Sequence, residues 1–567
     1  MELPTFSVAS FSSVFAPLSR PPLSHLPLLR RALSSRCKGV AGVLLCSLAV
    51  PVYAVAPQAV DDVRSIPIDS SITLNLIAND FDADGDIISI QSIGQPANGS
   101  AVLNADGSVL YTAAPGFSGV DTFVYVLQDD SDEGLTSQGT VRIAVSDGRF
   151  EGFAGNTNDR SLAQALSSVC NRLRELDDGQ LGSSQRQLLN QCVNLEVLAV
   201  GSPEAIAGAL NQIAPEETLS QMRVAVDSTH AHTNAVTQRV QQVKSAGLGA
   251  SIPGLVVNGK DLSNDLALGG GASADRATDG SIWSRLGLFA SVQVEDAERD
   301  KTRRENGYQA DTNTLTVGSD YFLSESLLVG LSLGISDGEL EYESSDGELD
   351  SEITTLIAFG AYFYQDFSFF LQAGYSQMDF DSMRLIRYGS GDLAVDERAV
   401  GSTTGIQRTL NTRAEWQWQK DELTLTPFVR MDYLESDIKA YSERGGGGLA
   451  MDLSQQATSQ LTLAAGLQGA YVLNQSWGVL VPTASFTYLS ETDSDRDPVA
   501  GRFAFDTDTS NRFMLNNDGG DTAFYQVSVG ASAVFKHGWS GFLEYRETLG
   551  YEDLSVSQFQ IGVRYEL

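Results

Sequence analysis

The sequence predicts a mainly β protein, with a C-terminal 12-stranded transmembrane β-barrel, a small N-terminal β-sandwich and an α-helical region between them. Three observations predict this class. The second half of the 567-residue chain alternates apolar and polar side chains in long segments. The N-terminal part has short apolar runs separated by turn residues. No run of about 18 apolar residues occurs, so no segment has the composition of a membrane-spanning helix.

The chain is strongly acidic. It has 72 acidic and 37 basic residues, which gives a formal net charge of −35. Nucleic acid and anionic lipid would be repelled by this charge, so neither is expected as a partner. An acidic surface can hold divalent cations or keep a protein in solution, and the composition leaves both readings open.

Residues 1–54 are predicted to be a signal peptide. Basic residues at positions 30–38 precede an apolar stretch at 39–50, and the small side chain of Ala54 suits the position before a signal-peptidase cut. The protein is therefore expected to be exported. Export leaves two cysteines, Cys170 and Cys192, and in an oxidising compartment this pair predicts one disulfide bond.

Residues 55–148 are predicted to form the β-sandwich, because short apolar runs alternate with segments rich in Asn, Asp, Gly and Pro. The runs lie at 72–77, 87–93, 109–112, 122–127 and 140–145. The order of IANDFDADGD, a strand-rich middle and a closing VRIAVSD resembles the bacterial cadherin-like and immunoglobulin-like (Ig-like) modules of surface adhesins.

One loop of this module carries alternate carboxylates around Gly85. Such spacing turns several oxygens towards one hard cation. Counted as an EF-hand loop from its first aspartate, the twelfth position is Gln91 instead of a bidentate Glu, so an EF-hand is excluded. We expect a cadherin-like Ca²⁺ site formed by Asp80, Asp82, Asp84, Asp86 and Asp129. The alternative is an Asp- and Gly-rich turn without metal.

Residues 159–245 are predicted to be helical, because their apolar residues recur at three- and four-residue spacing. Cys170 and Cys192 fall on successive predicted helices, so their disulfide would join a helical hairpin. A longer helix is predicted over 216–243, and at 1.5 Å per residue it would be roughly 40 Å long. Its surface is too polar to face lipid. It therefore either crosses a membrane inside a polar lumen or packs on the hairpin.

After a Gly-rich linker at 246–280, residues 281–567 are predicted to form the barrel. A soluble sandwich also alternates, but three features favour the barrel. The segments approach the roughly 9 to 11 residues that cross hydrocarbon at a tilt. Aromatic residues gather near segment ends, as in membrane girdles, and the polar face combines Gly with opposite charges, which suits a narrow wet lumen. About 12 segments fit, an even number for a closed barrel.

The export signal, the lumen-length helix and the C-terminal barrel together resemble monomeric autotransporters. The motifs ALNQIAPEE, GGGASAD and VGSDYFL carry this resemblance, which is strongest over residues 209–567. It implies a 12-stranded barrel in the outer membrane, a helix in its pore and a passenger at the cell surface. It also implies the Sec translocon, the barrel-assembly machinery and outer-membrane lipid as partners. The Asn-Asn cleavage type of this family is not evident, which favours a tethered passenger.

Three functions compete. The favoured one is display of the sandwich and the helical hairpin at the cell surface, for adhesion to a ligand that the sequence does not identify. The second is an outer-membrane pore with a periplasmic Ig-like module. The third is a surface enzyme, which we do not expect. After export only His230, His232 and His537 remain, and no GxSxG, GDSL-like or HExxH motif occurs.

The segment FQIGVRYEL alternates throughout and is predicted to be the closing barrel strand, with the odd-numbered residues of 559–567 towards lipid. Four of its residues resemble the assembly signal of autotransporters: Gln560, Gly562, Tyr565 and Leu567. Leu567 stands where an aromatic residue is commoner in that family.

Overall fold

The computed structural model describes residues 55–566 except 132, 177–179, 248–255, 258–259, 262–284, 344, 497, 519–520 and 536–538. The predicted signal peptide, with its cut after Ala54, lies outside the described residues, and so do Leu567 and most of the predicted linker at 246–280.

The described residues of the N-terminal module form a β-sandwich of seven strands. They are β1 (Asp62–Pro67), β2 (Ser71–Leu74), β3 (Ser89–Ile93), β4 (Gly99–Leu103), β5 (Val109–Ala113), β6 (Gly119–Gln128) and β7 (Thr136–Ser146). One sheet has the order β1-β7-β6-β3 and the other the order β2-β5-β4. β1 runs parallel to β7, and the other neighbours are antiparallel. The predicted sandwich is confirmed.

Alternation along the strands buries one face of each sheet. Val109 and Tyr111 of β5 are fully buried, as is Leu127 of β6. The Tyr111 ring stacks on the Phe123 ring, with the centroids 6.2 Å apart. The Tyr111 hydroxyl donates a hydrogen bond of 2.9 Å to the buried Asp121 carboxylate, so the polar tip of the ring is satisfied inside an apolar core.

In the described part of the chain, four α-helices follow the sandwich. They are α1 (Thr157–Arg174), α2 (Ser183–Gly201), α3 (Pro203–Ile213) and α4 (Glu217–Gly247). Helix α1 begins where the Asn156 side chain accepts a hydrogen bond of 2.7 Å from the Asp159 backbone N–H. Helix α3 begins at Pro203, because the first turn needs no N–H from that residue. The predicted disulfide between Cys170 of α1 and Cys192 of α2 is confirmed, and it joins the helical hairpin.

Twelve antiparallel strands form the C-terminal barrel. They are β8 (Leu286–Arg299), β9 (Tyr308–Ser324), β10 (Leu327–Tyr342), β11 (Glu348–Tyr364), β12 (Phe367–Tyr388), β13 (Val395–Trp416), β14 (Leu423–Ile438), β15 (Gln456–Tyr471), β16 (Gly478–Arg496), β17 (Ala523–Phe535), β18 (Trp539–Leu549) and β19 (Leu554–Glu566). Each strand pairs with the next one, and β19 returns to pair with β8, where Tyr565 lies opposite Leu288. The predicted closed 12-stranded barrel is confirmed.

Alternation decides which barrel side chains face outwards. In β19, Phe559, Ile561 and Val563 are about half exposed on the outer surface, whereas Gln560 and Arg564 are buried on the lumen side. The orientation predicted for the described part of this strand is confirmed. The role of Gln560, Gly562, Tyr565 and Leu567 as an assembly signal stays a prediction.

The two ends of the barrel differ in the length of their connections. At one end, two residues join β9 to β10 and two join β11 to β12. At the other end, residues 439–455 lie between β14 and β15, and residues 497–522 lie between β16 and β17. We refer to these ends as the short-turn end and the long-loop end.

A cap covers the long-loop end. It consists of α1–α3 and a small sheet of loop strands at Tyr441–Ser442, Met451–Leu453, Val499–Phe503 and Phe513–Leu515. Apolar side chains from both parts share one buried core, including Leu195 of α2 with Met451 and Phe503 of the loops. Arg172 of α1 donates from Nη2 to Asp506 Oδ1 and Oδ2 at 2.9 and 2.8 Å. Helices and loops are thereby one packed layer.

A buried carboxyl group makes the stability of the sandwich depend on pH. Asp62 of β1 is 1% exposed. Burial raises the pKa of Asp62 from 3.8 to about 7, although the nearby Arg64 opposes the shift. Between these two values the folded chain holds a proton that the unfolded chain has released.

We predict that the sandwich loses stability as the pH rises from about 4 to 7, because proton release then favours unfolding. Asp62→Asn should remove most of this dependence and raise the unfolding temperature at pH 8 by roughly 5 °C. Thermal unfolding of the full chain in detergent and chelator, followed by hydrogen exchange in the sandwich, measures the effect. Glu133→Gln, which changes an exposed carboxyl group of the same module, should leave the pH dependence unchanged. A pH-independent wild-type sandwich would contradict the prediction.

We also predict that removal of residues 565–567 prevents insertion into the outer membrane. The loss would remove the Tyr565–Leu288 pair from the closing seam and part of the assembly signal. Quantification of folded barrel in outer-membrane fractions checks this prediction. Wild-type amounts of the shortened barrel would disprove it.

Candidate functional site

Helix α4 lies inside the barrel. Its polar side chains are buried: Thr229 is 1%, His232 0% and Arg239 2% exposed. Their partners are lumen-facing side chains, as where Thr229 Oγ1 donates to Gln407 Oε1. The polar surface and the length of this segment predict such a position. None of the described helices combines the length and the apolar composition that crossing a membrane requires.

Helix α4 runs from the long-loop end to the short-turn end. Near its start, Thr218 hydrogen-bonds to the hydroxyl of Tyr441 in the loop sheet at 2.8 Å. Ser220 hydrogen-bonds to the hydroxyl of Tyr342, where β10 ends. Further along the helix, Arg239 reaches β9 close to its tight turn. The described residues that precede α4 therefore lie at the long-loop end.

A histidine anchors the middle of α4 to two neighbouring strands. His232 Nδ1 lies 2.9 Å from Thr316 Oγ1 of β9, and its Nε2 lies 3.0 Å from Ser336 Oγ of β10. Gly334 permits this approach, because a Cβ at that position would overlap the imidazole ring. Both nitrogens of a buried imidazole need a hydrogen-bond partner. A shift of the helix would remove these partners, so the two contacts favour one position of α4.

A buried ion pair anchors the C-terminal half of α4. Arg239 donates from Nε to Asp320 Oδ2 at 2.6 Å and from Nη2 to Asp320 Oδ1 at 2.7 Å. The two side chains are only 1% and 2% exposed. The guanidinium also lies 5.7 Å from the centre of the Phe289 ring. This bidentate geometry fixes both the position of the helix along the barrel axis and its rotation about its own axis.

The opposite wall of the lumen is not filled by α4. A cavity of about 120 Å³ lies on this side of the helix and is lined mainly by polar and charged groups. These include Arg223, Asp227, His230, Arg413, Arg430 and Asp432. Helix α4 thus packs closely on one wall and reaches the other through hydrogen bonds of Gln238 with Glu544 and of Gln221 with Gln456, with the polar cavity between them.

Buried charged groups hold the cap at the mouth of the lumen. Arg384 of β12 donates from Nε and Nη2 to the two carboxylate oxygens of Glu443 at 2.8 and 2.6 Å. Glu216 precedes α4 and accepts from the Asn156 side chain at 3.1 Å and from the Asn306 backbone N–H at 2.7 Å. The start of α1, the loop at 300–307 and the entry to α4 are therefore tied together.

The sandwich docks on α2 through one of its ends. Ser146 Oγ, at the end of β7, donates to Glu196 Oε2 at 3.1 Å, and Glu196 also pairs with Arg174. Burial lowers the pKa of Arg174 to about 10. Residues 80–86, which we call the acidic loop, lie at the opposite end, where the Ile87 N–H donates to Asp130 Oδ1 at 2.8 Å just after β6 ends. The acidic loop is therefore distal to the barrel.

Three of the five predicted calcium ligands come together. Asp82, Asp84 and Asp86 each offer a carboxylate oxygen, and these oxygens lie within 4.8 Å of one another. Asp82 Oδ1 accepts backbone hydrogen bonds from Asp84 at 2.8 Å and from Gly85 at 3.1 Å, which forms the tight turn. Partial burial and the neighbouring carboxylates Asp82, Asp130, Asp129 and Asp84 raise the pKa of Asp86.

The other two predicted ligands lie beside this trio. Asp80 points away from it, since its carboxylate accepts from the Tyr125 hydroxyl at 2.9 Å and from the Val60 N–H at 2.7 Å. Asp129 is 5% exposed, and its Oδ1 accepts from Ser131 Oγ at 2.7 Å. Its Oδ2 is buried without a described hydrogen-bond partner. Among the described residues, the structure thus groups Asp82, Asp84 and Asp86, whereas the carboxylates of Asp80 and Asp129 hydrogen-bond to other groups.

Comparison with known families agrees with this architecture. Residues 288–546 match the family described as "Autotransporter beta-domain". The barrel is an autotransporter β-domain. Residues 54–144 match the family described as "Bacterial Ig domain". The autotransporter barrel places the protein in the outer membrane.

Two curated relatives are similar to part of the chain. Esterase EstA of Pseudomonas aeruginosa is 26% identical over 263 residues, which is 45% of this chain and 39% of the relative. Lipase 1 of Photorhabdus luminescens is 22% identical over 291 residues, which is 50% of this chain and 43% of the relative. The chain thus spans about two fifths of the length of these relatives.

A similar solved structure is the translocator domain of the autotransporter NalP from Neisseria meningitidis. It is 18% identical and has a TM-score of 0.40, with 60% of this chain and 98% of that structure covered.

Sequence reasoning found the lumen helix but not its anchors. Arg239 stands out in the sequence as a basic residue in the predicted lumen helix. Asp320 is an even-numbered residue of β9, and the even-numbered positions of this strand face the lumen. This signal identifies candidates but does not pair them. The contacts of Arg384 with Glu443 had no local signal, because the two residues are 59 positions apart.

We predict that Arg239→Ala destabilises the barrel with its helix by about 3–5 kcal/mol, because Asp320 would remain as a buried, unpaired charge. Thermal unfolding of the purified full chain in detergent measures the loss. Arg239→Met combined with Asp320→Leu removes both charges and should recover most of the stability. If the single variant were as stable as the double variant, the ion pair would not anchor α4.

Proposed function

We propose that this outer-membrane autotransporter displays its Ig-like sandwich and helical cap at the cell surface as a tethered, adhesive passenger. The observation that carries the proposal is the direction of α4, which enters the lumen at the long-loop end. Outer-membrane barrels have short periplasmic turns and longer extracellular loops. The part of the chain before α4 is therefore expected outside the cell.

The contacts between the cap and the barrel support a tether. The only Asn-Asn pair in the sequence, Asn516-Asn517, lies in a barrel loop, and not in the segment that joins the passenger to α4. Asn158 of α1 accepts from the Asn516 backbone N–H at 2.9 Å and donates to the Asn516 carbonyl at 3.1 Å. Together with the Arg172–Asp506 pair, these bonds hold the passenger base on the loops.

The position of the sandwich supports a role in binding. Its docked end faces α2, and the 11 residues of β7 carry the opposite end roughly 35 Å further from the docking contact. The acidic loop lies at this far end, where a ligand outside the cell would meet it first.

The names of the relatives raise an enzymatic passenger as an alternative. EstA and Lipase 1 are named an esterase and a lipase, but the chain spans about two fifths of their length. Residues 55–216 contain no histidine. A Ser-His-Asp site of the kind that activates a serine nucleophile cannot be assembled from that segment alone. This composition favours a binding passenger.

Protease treatment of intact cells tests the proposal. We expect a peptide tag in the turn at 104–108 of the sandwich to be cleaved on intact cells. The same tag placed in the short turn at 421–422 should be cleaved only after the outer membrane is permeabilised. If the sandwich tag were protected until permeabilisation, the module would be periplasmic and the display proposal would be wrong. Adhesion assays with a chain lacking residues 61–147 then test binding separately.

We further propose that the acidic loop binds Ca²⁺. Extracellular modules bind Ca²⁺ with dissociation constants of about 0.1–1 mM, so 10 mM Ca²⁺ should stabilise the sandwich by roughly 1.4–2.7 kcal/mol. Thermal unfolding of the full chain with Ca²⁺ or chelator measures the shift. Asp82→Asn with Asp84→Asn should abolish it, whereas Asp106→Asn in another exposed turn should not. An unchanged unfolding temperature in the wild type would indicate an acidic turn without metal.

A further inference from the structure

The outer surface of the barrel carries aligned rows of carboxylates near the long-loop end. Five of them lie directly opposite one another across β8–β12 and are exposed: Asp296, Asp311, Glu339, Asp350 and Asp381. A second row contains Asp337, Glu352 and Asp379, and a third pairs Glu341 with Glu348. The register of the sheet, and not sequence proximity, brings these ten groups together.

This arrangement costs stability unless something compensates it. Like charges directly opposite each other on neighbouring strands repel, and each strand here adds one to the row. None of the ion pairs within the described part of the chain includes any of the ten carboxylates. A counter-charge from outside the protein would relieve the repulsion.

The rows stand just above the surface that contacts lipid. On the same strands, the outward side chains below them are apolar or aromatic, such as Leu333, Leu356 and Tyr375. Asp381 lies six residues beyond Tyr375 on β12. That is about 20 Å along the strand, or about 15 Å in height at a tilt of roughly 40°. With the long-loop end outside the cell, an orientation that rests on the proposed function, the rows come to the level of the headgroups of the outer leaflet.

A groove of about 530 Å³ adjoins the rows and supplies the opposite charge. Glu348, Asp350 and Asp381 line one part of it, and Arg398 and Arg444 line another. Both arginines are exposed, and neither forms an ion pair with a described side chain. Val400 and Met383 add apolar surface. A groove with free guanidinium groups next to carboxylates matches a ligand that carries phosphates and brings its own divalent cations.

We propose that this groove binds the phosphorylated headgroup of an outer-leaflet glycolipid. Arg398 and Arg444 contact a phosphate directly, and divalent cations bridge further phosphates to the carboxylate rows. The net charge of −35 argues against an anionic lipid in direct contact. In this groove, the bridging cations and the two arginines would offset the repulsion between the acidic protein and the lipid phosphates.

Binding of lipid A with two phosphates to the purified full chain in detergent tests the proposal, with native mass spectrometry as the readout. We expect affinity in Mg²⁺ to fall about tenfold when a chelator is added, which is roughly 1.4 kcal/mol. The combined substitution Glu339→Gln, Asp350→Asn and Asp381→Asn should lower it to a similar extent and remove the effect of the chelator. Arg398→Ala with Arg444→Ala should also weaken binding about tenfold.

A matched control removes the same number of charges at the other end of the barrel. Glu325→Gln, Asp366→Asn and Glu422→Gln change exposed carboxyl groups at the short-turn end and should leave binding unchanged. Dephosphorylated lipid A should bind weakly, and free inorganic phosphate at equal concentration should not displace the lipid. Heat-modifiable mobility in gels confirms that each variant is a folded barrel.

Two outcomes would overturn the proposal. If the row and arginine variants bound lipid A as well as the control did, with no effect of the chelator, the rows would be a solvated acidic face only. If free phosphate displaced the lipid, the groove would be a general anion site. Both measurements are made in detergent, so their outcomes do not depend on the side of the membrane on which the passenger lies, which the protease test decides separately.

Discussion

Closure of the barrel between β8 and β19 is the constraint on which the other parts of the structure depend. Hydrocarbon offers no hydrogen-bond partner, so each backbone N–H and C=O in the membrane must be paired within the sheet. The pairing of Tyr565 with Leu288 completes this requirement and leaves no edge. Two-residue alternation then fixes an apolar outside and a polar inside at once. The polar inside creates a lumen, and the character of that lumen decides which helix can enter it.

The polar helix α4 is buried because the lumen offers it polar partners. His232 and Arg239 would be costly in an apolar core, but here Thr316, Ser336 and Asp320 satisfy them. A buried ion pair is weak evidence of net stability, whereas its geometry specifies one position of the helix. Because α4 enters from the long-loop end, the described residues that precede it lie there. The positions of the cap and of the docked sandwich are consequences of this one direction.

Local pattern predicted most elements of the fold, and the exceptions have physical reasons. The lumen helix was predicted over 216–243 and extends over Glu217–Gly247. Strands β1 and β4 had no predicted counterpart. β1 ends in a proline and carries polar residues, since it lies at a sheet edge beside β7, and β4 is a short edge strand that begins with Gly. The apolar run at 72–77 begins in β2 and continues into a short 3₁₀ turn at Leu76–Ala78. Leu76 is buried in the core from this turn, so its apolar character does not indicate a strand.

The sequence by itself predicted the export signal, the two β modules, the disulfide of the cysteine pair and the outward face of the last strand. Each of these follows from composition or from the two-residue period, which local residues encode. Only the tertiary structure decided which residues meet across the chain. It placed Asp320 beside Arg239, separated Asp80 from the other three loop aspartates, and aligned five carboxylates on five strands. Strand register and the seating of a helix depend on packing over long sequence distances, so no local pattern contains them.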